Sequence, residues 1–211
     1  MATSNRFRQL KKRLSELRKH MLPSEFSPVG YYSDRQLDRA RGYRLLAHAE
    51  IESYLEDIAK KVVIDAITKW KDSGTPSKTL IAFLASYHSS WNSNNDAENH
   101  EIMELAKWRS GPNSFVFEVV NRAQQQFMQK LKGNHGVKEK NIKTLIIPTG
   151  IDFAELDQVW LASLDSFGSL RGEVAHNSTS THGQIDPSNE LETVNRILQG
   201  LKDLDSSLLS I

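Results

Sequence analysis

The sequence predicts an all-α fold, and three observations carry that prediction. Apolar residues recur three and four positions apart through most of the chain, the period of a helix with one buried face. No stretch alternates apolar and polar residues over the length of a strand. Clusters of Gly, Pro, Ser and Asn cut the periodic stretches into pieces of helix length.

Residues 5–21 place Phe7, Leu10, Leu14, Leu17 and Met21 on one helical side. The other sides carry Arg6, Arg8, Lys11, Lys12, Arg13, Arg18 and Lys19 against a single acid, Glu16. Pro23 and Pro28 then break the chain, so residues 1–30 read as a basic amphipathic helix with its linker, ahead of a helical domain over 31–211. Ser33 or Asp34 caps a long helix running to about Lys71, with Arg44, His48, Ile51, Leu55, Ile58 and Val62 sharing one side. Ser73-Gly74-Thr75-Pro76 stops it.

Shorter helices are expected over 76–88, 97–109 and 115–132, the last with Phe115, Val119, Phe127 and Leu131 as apolar points. Gly133-Asn134-His135-Gly136 is a strong helix stop. A brief apolar stretch over 137–147 ends at Pro148-Thr149-Gly150. Asp152 is expected to begin a helix turning Leu156, Val159, Trp160, Leu164, Phe167 and Leu170 inward and running into Arg171. Trp160 and Phe167 read as core or subunit-interface aromatics. Asp186-Pro187 is a cap and first position for the final helix, with Leu191, Val194, Leu198, Leu201 and Leu208 on one side.

With 211 residues, 38% of them hydrophobic, the chain is long enough for a real core. A formal charge of +1 from 27 basic and 26 acidic residues conceals the basic start, which suits contact with a polyanion. There is no cysteine, which excludes disulfides, thiolate metal sites and cysteine nucleophiles. No apolar run approaches membrane-span length, and the amphipathic start lacks a signal-peptide core. The expectation is a cytoplasmic protein with no membrane partner.

Several constellations are absent. His100-Glu101 lacks the second histidine of a metalloprotease helix, and Gly168-Ser169-Leu170-Arg171-Gly172 is not a nucleophile elbow. No phosphate loop, dinucleotide fingerprint or histidine ligand cluster is present, so neither a cofactor nor a metal is expected. What remains is Leu170-Arg171-Gly172-Glu173-Val174-Ala175-His176 at the end of an amphipathic helix. Arginine offers a permanent cation and a planar fork of donors for phosphate, and histidine exchanges protons near neutral pH. Together they suffice for metal-free RNA cleavage: histidine as base on the ribose 2′-hydroxyl or acid on the leaving oxygen, arginine on the phosphorane charge. Five positions apart on a helix is roughly 140° around its axis, so one substrate meets both only if the helix ends or a second subunit contributes. The same two residues also suit a helix C-terminus simply as cations on the dipole.

The flanking sequence resembles a known family. Arg41-Gly-Tyr-Arg-Leu-Leu-Ala-His-Ala-Glu-Ile-Glu-Ser-Tyr-Leu-Glu56 is similar to the long second helix of HEPN domains, closest to the RiboL-PSP-HEPN subgroup. Leu170-Arg-Gly-Glu-Val-Ala-His-Asn177 resembles the superfamily's Arg-x4–6-His signature. Asn134-His-Gly-Val-Lys-Glu-Lys-Asn141, Leu145-Ile-Ile-Pro-Thr-Gly-Ile-Asp152 and Ile185-Asp-Pro187 are similar to the subgroup's middle and late regions, so the resemblance spans roughly 34–205.

That resemblance implies a HEPN-like helical bundle with extra peripheral helices. It also implies a homodimer joined through the motif helices, and metal-independent endoribonuclease activity leaving 2′,3′-cyclic phosphate ends. Arg171 and His176 would then be catalytic, meeting across the two-fold axis. The second helix of the family often supplies a further polar residue, for which His48, Glu50 and Glu52 are the candidates. Glu52 is placed to orient Arg171, whereas His48, on the apolar side, reads equally as a core histidine. Glu173 and Asn177 flank the motif as candidate supporting residues; Asn177 would bind phosphate or simply terminate the helix. His182 in the following polar loop reads as a solvated histidine or as a group approaching the site.

Arg6, Arg8, Lys11, Lys12 and Arg13 are candidate RNA-backbone contacts, with a solvated face or a partner-binding arm as the other readings. The implied substrate is tRNA or single-stranded RNA, and the implied role a toxin-like or phage-defence effector, with an antitoxin or sensor as restraining partner. In the family the residue after the motif arginine is often Asn, Asp or His; here it is Gly172. This departure favours the alternative of a non-catalytic HEPN module binding nucleotide or protein.

Overall fold

The computed structural model describes residues 2–88, 114–176 and 185–211, together with position 100. Among these residues there are seven α-helices and no strand: α1 (Asn5–Met21), α2 (Asp34–Ser73), α3 (Lys78–His88), α4 (Ser114–Lys132), α5 (Glu139–Ile146), α6 (Gln158–His176) and α7 (Pro187–Leu209). The helix expected over 97–109 lies outside the described residues apart from position 100.

The spine is α2, whose 40 residues span about 60 Å at 1.5 Å per residue. Its start is fixed by a capping box in which the Ser33 backbone N–H and Oγ both donate to Gln36 Oε1 at 2.9 Å. Tyr43, Ala47, Ile51, Tyr54, Leu55, Ile58 and Val63 are buried along it, and every other described helix packs on it. The predicted inward side of α2 holds from Arg44 to Ile58, with its two polar members, Arg44 and His48, both buried, but Val62 is only partly buried and Val63 takes the inner position.

Phe7, Leu10, Leu14 and Leu17 of α1 join the same hydrophobic core as α2, α6 and α7, and each such side chain contributes about 2 kcal/mol on burial. The chain start is also tied to its end. Asp205 of α7, fully buried, accepts from the Ser4 N–H at 2.6 Å, Ser4 Oγ at 2.7 Å and the Tyr54 hydroxyl at 2.8 Å. Burial and the neighbouring carboxylate push the Tyr54 hydroxyl well above its ordinary range, so it stays a proton donor. A second buried pair joins α2 to α7: Arg44 grips Glu190 with both nitrogens of its fork, Nε at 2.9 Å.

Three expectations are corrected. Asp152 does not open the motif helix; its side chain caps a 3-10 turn, Phe153–Glu155, after which Leu156 is extended. The helix begins at Gln158, where Asp157 accepts from the Val159 N–H at 2.8 Å. Val159 and Leu170 do not point inward, being 69% and 37% exposed, because the buried stripe of α6 runs through Trp160, Leu161, Leu164 and Phe167 instead. On α4, Val120 is buried and Val119 is exposed, a shift of one residue around the helix. Trp160 belongs to the core, lying over Gly200 of α7 and donating from Nε1 to the Ile197 carbonyl at 3.1 Å.

Candidate active site

Because α6 is helical without a break through position 176, positions 171 and 176 lie roughly 140° apart around one continuous helix. Arg171 is half-buried. The side chains of Glu173 and His176, and all of Asn177 and His182, lie outside the described residues.

Arg171 opens onto a cleft of about 300 Å³ whose walls come from three parts of the chain. His48 of α2 and Gly168 of α6 form one side, and His135, Lys138, Lys140 and Asn141 the other. The His48 ring is 1% exposed and stacks on Phe167 with centroids 5.7 Å apart. Its Nδ1 lies 3.3 Å from Glu52 Oε2, one helical turn on, but out of line for a hydrogen bond, so that nitrogen is left without a partner. Glu52 therefore stands against His48; among the described residues it makes no ion pair with Arg171. Glu50 faces α1 and pairs with Arg13 at 3.0 Å.

The far wall is held by one buried amide. Asn134 donates from Nδ2 to Glu56 Oε1 at 2.7 Å and to the Gly136 carbonyl at 3.2 Å, while its Oδ1 accepts from Asn141 Nδ2 at 2.8 Å. These bonds fasten the 133–137 turn to α2 and to α5. Burial raises the Glu56 carboxyl above its ordinary value, against the lowering effect of the Asn134 bond. The segment is tied to α6 as well: the Glu139 N–H donates to Asp165 Oδ1 at 3.0 Å. Lys138 crosses α6 at Gly168, where a Cβ would fall 2.9 Å from Lys138 Cγ; only glycine lets the lysine stem pass so near, one turn before Arg171. At Gly172 a Cβ would meet no atom of the described residues within 4 Å, so among them the position after the motif arginine has room for a side chain.

Of the residues singled out in the sequence, Arg171 and His48 line this cleft, whereas Asn134, His135, Lys138, Lys140 and Asn141 had no role assigned there. The available signal is the polar run Asn134–Asn141, which in the sequence stands out only as a family-like stretch. Of the basic residues on α1, Arg6 pairs with Asp57 at 2.8 Å and Arg13 with Glu50, whereas Arg8, Lys11 and Lys12 are exposed. A larger groove of about 510 Å³ runs between α1, α2 and the chain end, but none of its lining residues belongs to α6 or to 133–141. It is mainly apolar and contains no histidine, so it is not the seat of this chemistry.

Among the described residues, no group of three or more His, Asp or Glu side chains could hold a metal ion. No helix among them is long and apolar enough to cross a membrane. The sequence model of the family described as RiboL-PSP-HEPN matches residues 8–210, which takes in most of α1 as well as the stretch from α2 onward. No curated protein and no solved structure matches the chain.

Proposed function

Since the chain belongs to the RiboL-PSP-HEPN family, whose membership suggests a nuclease or RNA-related role, we propose that it is a metal-independent endoribonuclease acting as a homodimer. The observation that carries this reading is the cleft at Arg171, which gathers Lys138, Lys140, His135 and His48 around the motif arginine and has no carboxylate among the described residues of its lining. A cleft of one sign attracts the phosphodiester and holds it against the guanidinium.

In the proposed reaction His176 takes the proton of a ribose 2′-hydroxyl as that oxygen attacks phosphorus. The bond from phosphorus to the 5′-oxygen breaks, and the leaving oxygen receives a proton, giving a 2′,3′-cyclic phosphate and a 5′-hydroxyl. Arg171 stabilises the charge that builds on the non-bridging oxygens. The angle of roughly 140° between the two residues on an unbroken helix favours a composite cleft, in which one subunit's Arg171 works with the other's His176. We place the activity in the cytoplasm on tRNA or single-stranded RNA, as a toxin-like or phage-defence effector restrained by an antitoxin or sensor.

The test is cleavage of labelled tRNA and single-stranded RNA in excess EDTA by wild type beside His176→Ala. Cutting by the wild type alone, with cyclic-phosphate ends, is the expected result. A requirement for divalent metal, or 3′-hydroxyl products, would sink the mechanism. No cutting by a folded dimer favours the non-catalytic binding module, for which Gly172 in place of the family's frequent polar residue is the supporting feature.

A further inference from the structure

We infer that the segment 133–141 builds a second phosphate subsite beside Arg171, so that the cleft grips the backbone of a single-stranded polynucleotide at two successive phosphates. The inference rests on the reading of Arg171 as the group that meets the scissile phosphate.

Three cationic side chains, Lys138, Lys140 and Arg171, share the lining of one cleft although the lysines stand at the start of α5 and the arginine near the end of α6, far apart in sequence. Among the described residues none of the three forms an ion pair, while Lys143 next along α5 is paired with Glu139. The nearby carboxylates among the described residues are engaged elsewhere: Glu56 by Asn134, Asp165 by the Glu139 N–H, and Glu52 against His48. Unpaired like charges in one cleft repel, and an anion bound between them relieves that repulsion. His135, exposed at the rim, and the Asn141 side chain add hydrogen-bonding groups to the same wall.

The placement is built rather than incidental. Asn134 fixes the turn through three hydrogen bonds, and Gly168 makes room for the Lys138 stem. A surface lysine with no task needs neither. At about 300 Å³ the cleft lies at the small end of ligand pockets, suiting one nucleotide unit with the neighbouring phosphate reached from the wall.

The experiment measures binding in the non-cleaving His176→Ala protein, by anisotropy of a short labelled single-stranded RNA over a potassium chloride series. Lys138→Gln with Lys140→Gln keeps the aliphatic stem over Gly168 and removes both charges; a thermal melt checks its fold. The expected result is affinity weaker by about tenfold at low salt. The slope of log affinity against log salt should also be shallower, by about 0.7 for each phosphate no longer neutralised. Unchanged affinity and slope would overturn the subsite. Gly168→Ala, which displaces the Lys138 stem but keeps its charge, is expected to weaken binding less than the double variant. A competition arm separates the sources of phosphate. Inorganic phosphate and ADP at matched ionic strength should not displace the RNA; displacement by micromolar ADP would assign the cleft to a free nucleotide and overturn the polynucleotide assignment. Because binding is read without turnover, a wild type that fails to cut leaves this result standing. A wild type that cuts, with unchanged affinity in the lysine variant, removes the subsite alone.

Discussion

Replacing Asn134 by alanine should loosen the far wall of the cleft, and the structure sets the size of the effect. The change deletes the donor to Glu56 Oε1 at 2.7 Å, the weaker contact to the Gly136 carbonyl at 3.2 Å, and the acceptor for Asn141 Nδ2 at 2.8 Å. A bond to a charged acceptor is worth about 1.5–3 kcal/mol when buried, but Glu56 is half-exposed and water can replace the missing donor, so about 1 kcal/mol is the fitting figure there. The Asn141 bond contributes about 1 kcal/mol more. The total near 2 kcal/mol corresponds to a fall in Tm of about 4–8 °C for a chain of this length. Calorimetry of the His176→Ala protein with and without Asn134→Ala measures it, and the same samples should bind single-stranded RNA more weakly as the wall carrying His135 and Lys138 loosens. A Tm within about 1 °C of the parent would refute the anchoring argument. So would full additivity with Glu56→Ala in a double-mutant cycle, since Asn134 donates directly to the Glu56 carboxylate.

Glu56 itself gives a pH signature. Its carboxyl lies above the ordinary 4.5 in the folded protein, chiefly through burial. The folded state therefore holds that proton more tightly, and the associated stability is full below the ordinary value and lost as pH rises through the raised one. Glu56→Gln, neutral throughout, should gain stability relative to wild type between about pH 4 and pH 7; a constant difference across that window in denaturant titrations would contradict the shift. Glu190→Ala leaves the Arg44 guanidinium buried and unpaired, which should cost about 3–5 kcal/mol and roughly 10 °C of Tm. Arg44→Met with Glu190→Leu should lose far less, and the argument fails if the double variant is the less stable. Gly172→Ala should raise Tm by about 1–4 °C, since a helical glycine gains about 0.5–1 kcal/mol on replacement and the new Cβ meets no atom of the described residues. A fall in Tm would show that the space is needed.

How far the sequence could be read depended on the kind of pattern involved. Helical faces built on strong apolar spacing, such as Phe7–Leu17 of α1 and Ile51–Ile58 of α2, are where the periodicity puts them. Even the buried Arg44 was legible from its phase, though its partner Glu190, 146 positions away, was not. Phase failed on α6, where Val159 and Leu170 neighbour the buried stripe and hydrophobicity alone does not tell a flank from a face. Arg171, which lines the cleft, stands out in the sequence by its residue type and family-like flanks. The wall opposite does not. Asn134, Lys138 and Asn141 act through contacts with Glu56, Gly168 and one another, and such tertiary juxtapositions leave only a polar run in the sequence. The family match also reaches further than the motifs that suggest it. Most of α1 lies within the matched region and its apolar side within the core, because a conspicuous basic side masks the residues that pack on α2.

The most direct test of the composite site is complementation between inactive variants. Arg171→Ala and His176→Ala proteins are each assayed for RNA cleavage in EDTA, then mixed in equal amounts, allowed to exchange subunits and assayed again. If Arg171 of one subunit works with His176 of the other, half of the dimers become mixed and each has one intact cleft of two. The mixture should then regain about a quarter of wild-type activity from two preparations that have none. A mixture that stays inactive after demonstrated exchange, while the wild type cuts, would contradict a site shared between subunits.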